Sequence, residues 1–383
     1  MQIFQNFQKD HSPLLLHFIN IFLGNLPAGI QLFYLFQEFP ELLEVVAEIM
    51  GTAPRLSGYL ARSGYLLDAL LQEGAGARAP EKQQLVESIE RELKFAKDFQ
   101  DVIEVTRRWS GDIKFLTSVK QLRGTIDCLE GCRVLSGVAD VLIDVTLKEV
   151  TKEFEKTYGI LPAAELAILG FGKLGGEVLT RGSDLDLVFV YHAQKNLMSN
   201  GKRTVSAPIY YARLCQRLIT ALSAQTGQGQ LYEIDIRLRP MGSSGPLVSD
   251  IVRLENYYES EAWTWELMAL TRARVITGST FFTQRVERVI KQALCRVHVS
   301  GVLTAQVLAM RAKVWRERPP AGFWDEVFEQ VATEYSDVAT ESLLVDAASM
   351  DFIRRPNDFD VVVASNLFGD ILSDLGPACT GTI

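Results

Sequence analysis

Gly170-Phe171-Gly172-Lys173-Leu174-Gly175-Gly176, followed shortly by Gly182-Ser183-Asp184-Leu185-Asp186-Leu187, is the stretch from which the fold is read. Before the glycines stands Leu166-Ala167-Ile168-Leu169, an apolar run of strand length, and Asp184 to Tyr191 reads as a second strand, alternating at first and then continuously apolar. Period-two geometry puts Asp184 and Asp186 on one face of that strand while Leu185 and Leu187 point into a core. Two carboxylates on one face can hold a divalent metal. Mg²⁺ takes one or two carboxylates together with substrate phosphates, and a pair of such ions can clamp both the attacking and the leaving oxygen of an in-line phosphoryl displacement.

A third acid would complete such a cluster. Leu231 to Pro240 reads as a later strand with Tyr232, Ile234, Ile236 and Leu238 on one face and Glu233, Asp235, Arg237 and Arg239 on the other. Asp235 is the natural partner for Asp184 and Asp186, Glu233 the weaker choice, and Arg237 and Arg239 are available for phosphate oxygens. In the glycine-rich segment, Gly175 and Gly176 are expected to leave backbone amides open to a triphosphate, Lys173 to neutralise phosphate charge, and Ser183 to add a hydroxyl donor beside the acids. No Gly-Lys-Ser/Thr follows, so this is not a Walker loop. A dinucleotide fingerprint would want an acid about 20 residues on, and the window Phe189 to Asn196 has none. Taken singly, a D-x-D or a glycine turn is usually only a turn. Together with an acid and two arginines on a later strand, they form the layout of a nucleotidyltransferase of the polymerase-β type.

Outward from this centre the texture is helical. From Ser12 to Tyr158 apolar residues recur at helical spacing, as in Leu42, Leu43, Val45, Val46 and Ile49 before Gly51, which suits a left-handed C-cap. Glu81 to Trp109 and Ile126 to Tyr158 are expected as two long amphipathic helices, with a loop at 74–80 between the earlier helices and these. A helix is expected from Pro208 to Ser223, and others over Ser249–Tyr258, Glu261–Ile276, Phe281–Val297 and Val302–Trp315. Tyr257, Tyr258, Trp263 and Trp265 could stack on adenine, although aromatics at helical spacing more often build core. Cys128 and Cys132, one helical turn apart, are read as core rather than metal ligands. Arg272 and Arg274 would not share a helix face, so at most one is expected to point at the site.

The 383 residues are 48% apolar and 22% charged, a globular composition. The longest apolar stretch, Leu14 to Leu23, is too short to span a bilayer, no secretory leader is expected, and five cysteines make no disulfide framework, so a reducing cytoplasm is expected. The net charge of −8 is uneven: residues 316–383 carry four Arg, no Lys and thirteen acids, and the rest is nearly neutral. Neither part has the basic excess that nucleic acid requires. The step in charge at Pro319-Pro320-Ala321-Gly322 marks a boundary, beyond which helix and strand patterns alternate.

With Glu261-Ala262-Trp263-Thr264-Trp265-Glu266, Leu270-Thr271-Arg272-Ala273-Arg274 and, in the helical part, Leu26-Pro27-Ala28-Gly29-Ile30-Gln31-Leu32-Phe33 and Ala53-Pro54-Arg55-Leu56, the motifs above resemble the second catalytic domain of the glutamine synthetase adenylyltransferase family over about residues 12–316. The resemblance implies a Mg²⁺-dependent enzyme moving AMP from ATP to a tyrosine of glutamine synthetase, with glutamine and the PII signalling protein as regulators. Asp184, Asp186 and Asp235 would be its catalytic and metal-binding acids, and Gly175, Gly176, Ser183, Lys173, Arg237 and Arg239 its nucleotide contacts. The family carries two such domains, one attaching and one removing AMP, whereas one D-x-D with its strand partner is present here.

Phe323-Trp324-Asp325-Glu326-Val327-Phe328, Arg355-Pro356 and the run Phe359 to Leu375 resemble instead a fragment, about residues 322–383, of the isocitrate, isopropylmalate and tartrate dehydrogenases. Asp370 and Asp374 lie i,i+4 on one helical face, and that resemblance adds Asp346 as a third metal ligand. The family's other substrate and adenine-binding elements are absent, so no NAD-dependent hydride transfer is expected, and the junction suggests a fused reading frame. The expected class is α+β: a helical bundle (1–160), a polymerase-β-type nucleotidyltransferase domain (161–280), the start of a further helical region (281–318) and an α/β dehydrogenase-like fragment (319–383). An inert ATP- or metal-binding fragment, a nucleotidyltransferase with another acceptor, and a partial dehydrogenase are the alternative readings.

Overall fold

A computed structural model of the chain describes residues 29–72, 78–227 and 229–297, with isolated positions between 328 and 362. The chain divides into two compact units, one of residues before Ala139 with Gly227–Gly229, the other of Ala139–Thr226 and the residues from Gln230 on.

The first unit is helical: α1 (Gly29–Glu38), α2 (Pro40–Thr52), α3 (Pro54–Arg62), α4 (Leu66–Gln72), α5 (Lys82–Leu93), α6 (Phe99–Leu122) and the first turns of α7 (Cys128–Tyr158). Leu42, Val45, Val46 and Ile49 of α2 form its core with Leu56 and Leu60 of α3, Leu66 and Leu67 of α4, and Phe115 and Val119 of α6. Two expectations fail here for local reasons. Gly51 lies inside α2, which stops at Thr52 because Pro54 holds the residue before it, Ala53, out of the helical region. The single helix expected over 81–109 is broken: Asp98 takes extended backbone and accepts from the Asp101 N–H at 2.9 Å, so its side chain starts α6 afresh and α6 runs on to Leu122.

The second unit is α+β. Its strands are β1 (Glu165–Gly170), β2 (Leu185–His192), β3 (Ile234–Asp235), β4 (Val248–Asp250) and β5 (Arg274–Thr277); its helices are the rest of α7, α8 (Gly172–Gly175), α9 (Ala207–Ser223), α10 (Ile251–Ser260), α11 (Thr264–Leu270) and α12 (Thr280–Val297). The sheet is mixed. β1 runs antiparallel to both β2 and β5, while β3 and β4 pair parallel with successive parts of β2. Ala167, Leu169, Val188 and Val190 face one core with Ile251, Leu254, Phe282, Val286 and Val289 of α10 and α12. On the other face Tyr191 meets Tyr211 of α9, ring centroids 5.2 Å apart.

The strand expected over 231–240 is only two residues long, and the helices expected over 249–258 and 261–276 give way to β4 and β5 at their ends. At β3 the cause is local: the Asp235 carboxylate accepts the Arg237 N–H at 2.8 Å and turns the chain out of the ladder. Arg237 and Arg239 therefore sit on a turn, not on a strand face. The helix expected over 302–315 and nearly all the alternation beyond 319 lie outside the described residues, as do Asp346, Asp370 and Asp374.

Phe282 is fully buried where α12 meets the sheet. Phe282→Ala is expected to cost about 3–5 kcal/mol in urea denaturation; a loss under about 1 kcal/mol would show that α12 is not anchored by this ring.

Candidate active site

The site is built from the turn between β1 and β2. Beyond Gly170 the Phe171 N–H donates to the Asp186 carbonyl at 2.9 Å, extending the β1–β2 ladder by one bond. Gly172 then takes φ +54°, and a Cβ placed on it would lie 2.3 Å from Asp186 Oδ2. The Asp186 carboxylate thus takes the space a side chain at position 172 would need, so that any other residue there would displace the carboxylate and strain the left-handed backbone. The sequence reading gives Gly172 no role of its own; its place two residues past an apolar strand, inside a glycine-rich turn, is the signal that points to it.

Gly175 and Gly176 serve another purpose than expected. Their N–H groups donate to the Phe171 and Gly172 carbonyls at 2.8 and 3.1 Å, so they close the single turn of α8 and do not open onto a ligand. A Cβ on Gly175 would lie 1.8 Å from the Arg272 carbonyl oxygen. Ser183 is likewise occupied locally: its Oγ accepts the Thr180 N–H at 3.1 Å and shares a 2.7 Å bond with the Thr180 hydroxyl, shaping the turn that delivers Asp184.

Three acids come together electrostatically. Asp186 is paired in parallel register with Asp235, and exposed Asp184 is two residues before it. Burial, then the charges of Asp184 and Asp235, push the Asp186 carboxyl up to about 6, while Arg237 and Lys173 pull the other way. Lys173 is accordingly near the acid. Asp235 is held below the usual carboxylate range chiefly by the Arg237 guanidinium, whose Nε lies 3.0 and 2.8 Å from its two oxygens and whose terminal nitrogen also bonds Oδ2. The Arg237 side chain is otherwise 78% exposed. Arg239 is spent on the turn itself, donating to the Ile236 and Gly245 carbonyls at 2.6 and 3.3 Å.

Against the adenine-stacking reading, Tyr257 and Tyr258 are buried, and the Tyr257 hydroxyl donates to buried Glu266 at 2.7 Å. Trp263 and Trp265 are not core, since Trp263 is 71% exposed. Cys132 is core, with its thiol pushed up to about 11 by burial and Cys128.

A family model described as glutamate-ammonia ligase adenylyltransferase matches residues 43–289, which is most of the described chain. The chain belongs to the glutamate-ammonia ligase adenylyltransferase family. Similar proteins include those named bifunctional glutamine synthetase adenylyltransferase/adenylyl-removing enzyme from Mesorhizobium japonicum, 39% identical over 305 residues, and Brucella suis, 38% identical over 305 residues, in each case 79% of this chain and 31% of the relative. That from Agrobacterium fabrum is 37% identical over 318 residues, covering 83% of this chain and 32% of its own. This adenylyltransferase-family chain spans about a third of the length of the curated relatives it matches. A second model, isocitrate/isopropylmalate dehydrogenase, matches residues 244–383, starting well before the likeness read from about residue 322 and overlapping the first match.

For an adenylyltransferase-family site the fit to Mg²⁺ rests on Asp184 and Asp186. Oxygen donors suit a hard cation, and the crowding that lifts Asp186 is what a divalent charge relieves. Among the described residues no set of three His, Cys, Asp or Glu side chains is already gathered to grip an ion. Asp235 is instead engaged by Arg237. Two carboxylates completed by phosphate oxygens and water remain a ligand set that Mg²⁺ accepts.

The acid cluster also fixes a pH dependence. Because folding raises the Asp186 pKa, the native state holds this proton more tightly than the unfolded chain, and stability falls as pH climbs from about 4 to about 6. Above that range the charge is a standing cost, on the order of 1 kcal/mol after solvent screening. In EDTA, Asp186→Asn is expected to raise the melting temperature at pH 7.5 by roughly 2–4 °C and to give no gain at pH 4. An unchanged or lower value at pH 7.5 would contradict the crowding.

Proposed function

We propose that the chain is a protein adenylyltransferase that moves AMP from ATP to a tyrosine hydroxyl of glutamine synthetase, using a polymerase-β-type domain over residues 161–280. The observation that carries this reading is the placement of Asp186 against Gly172 and in register with Asp235, in a chain of this family. That the similar proteins are named for glutamine synthetase supports the acceptor.

Asp184 and Asp186 would hold Mg²⁺, with Asp235 as third ligand once Arg237 turns away from it. Bound there, Mg²⁺ would neutralise triphosphate charge and stabilise the attacking alkoxide. Arg237, on an exposed turn, is free to swing from Asp235 to phosphate oxygens, and Lys173 adds positive charge beside Asp186. The tyrosine oxygen attacks the α-phosphorus, the bond to the bridging oxygen breaks, pyrophosphate leaves and the hydroxyl proton passes to solvent. Catalysis is then mostly positioning and charge stabilisation. Gly175, Gly176, Ser183 and Arg239 contribute by shaping the turns that carry these groups: the two glycine N–H groups and the Arg239 guanidinium donate to nearby carbonyls, and the Ser183 Oγ accepts the Thr180 N–H.

Residues 1–160 would be a helical bundle, 281–318 the start of a further helical region, and 319–383 a dehydrogenase-like segment without hydride-transfer chemistry. Glutamine and PII would be the regulators and the cytoplasm the location. Among the described residues no helix is long and apolar enough to cross a membrane.

Purified chain, ATP, Mg²⁺ and glutamine synthetase are expected to yield AMP-labelled synthetase by intact mass. The Asp184→Asn/Asp186→Asn variant should lose the rate by about 10²- to 10⁴-fold, the several kcal/mol that metal-held charge supplies. A variant as active as the parent would remove these acids from the chemistry; turnover of ATP without labelling would point to another acceptor.

A further inference from the structure

The turn that carries Gly172 is poorly equipped to hold itself. A single helical turn is below the length at which helices persist unaided. It is also bracketed by two left-handed residues, Gly172 at φ +54° and Glu177 at φ +57°, the latter a conformation that residues with a side chain resist. Something outside the turn must fix it.

Arg274 of β5 meets that need. Its guanidinium donates to the Leu174 carbonyl, inside α8, at 3.1 Å, and its Nε lies 3.9 Å from the Glu177 carboxylate at the turn's end. The same group is aimed by a bidentate pair with Asp140 of α7, at 2.7 and 3.0 Å, and Asp140 is only 3% exposed. A planar fork can satisfy a carboxylate and a neighbouring carbonyl at once, which a lysine ammonium cannot do with the same geometry. Two residues earlier the Arg272 carbonyl packs where a Gly175 side chain would be. Segment 272–274 thus backs the whole turn. One helical turn on from Asp140, Asp144 accepts from the Thr277 hydroxyl at 2.9 Å, tying α7 to β5 without touching the glycines.

We propose that Arg274, oriented by Asp140, is a positioning residue of the nucleotidyl-transfer site: it clamps α8 from behind and so keeps Gly172 beneath the Asp186 carboxylate. The part concerning catalysis rests on the function proposed above, whereas the clamp itself does not.

The test compares Arg274→Lys and Asp140→Asn with Asp144→Ala, which loosens α7 from β5 but leaves the turn alone. Amide hydrogen exchange at Gly175, Gly176 and Val178, whose N–H groups close this turn, is expected to quicken at least about tenfold in the first two variants and to stay unchanged in the third. In AMP transfer, kcat is expected to fall about 10- to 100-fold in Arg274→Lys with KM for ATP within about threefold, the pattern of a displaced reacting group. Unchanged exchange in Arg274→Lys, or equal effects in Asp144→Ala, would overturn the proposal and leave Arg274 as a staple between helix and strand. If Arg274→Lys does not fold, the Asp140→Asn comparison decides alone. Should the parent chain transfer no AMP while exchange responds as stated, the clamp stands and the proposed function falls.

Discussion

The Asp186 carboxylate occupies the space a side chain on Gly172 would need, and most of the second unit follows from that contact. To bring the acid over the glycine, β1 and β2 must pair in the register Gly170↔Leu187, with the Phe171 N–H capturing the Asp186 carbonyl. To turn away beneath it, the chain must pass through a left-handed residue at once. The apolar runs on both sides then bury against α10 and α12 on one face and α9 on the other, so the sheet's core and its acidic end are fixed by the same pairing.

That acidic end is held at a cost. Burying Asp186 beside Asp184 and Asp235 disfavours its charged form, and Arg237 and Lys173 oppose this. Arg237 binds Asp235 on the exposed side, where water weakens the pair and lets it exchange partners. Charge crowding of this kind, relieved by nearby cations, is a pattern that gathers at functional sites.

β1, β2, α9 and α12 were legible because each is a run long enough for its apolar period to show. β3 was overread: the alternation from Tyr232 to Arg239 continues on paper, but the Asp235 side chain outcompetes the ladder for the Arg237 amide. β4 and β5, three and four residues long, carry too little pattern to separate from neighbouring helices. At the site, two-residue spacing relates Asp184 to Asp186, whereas the partnership of Asp186 with Asp235 comes from the parallel register of β2 and β3, which no period within one strand contains. Neither the locally closed amides of Gly175 and Gly176 nor the pairing of Arg274 with Asp140, 134 residues away, leaves a trace in local sequence. The resemblance to the adenylyltransferase family is readable because its motifs are long strings of matching residues; the dehydrogenase-like acids fall outside the described residues.

The edges of the sheet are β5 on one side and β3 and β4, both paired to β2, on the other, and none of them is longer than four residues. β5 is further irregular, its register slipping between Ile168 and Leu169 of β1, and two of its side chains are committed to acids of α7. An outer strand that is short, kinked and charge-tethered is a poor template for a foreign strand. The pairs that Arg274 and Thr277 make with α7 therefore also make this edge an unfavourable place for a strand of another copy of the chain to pair.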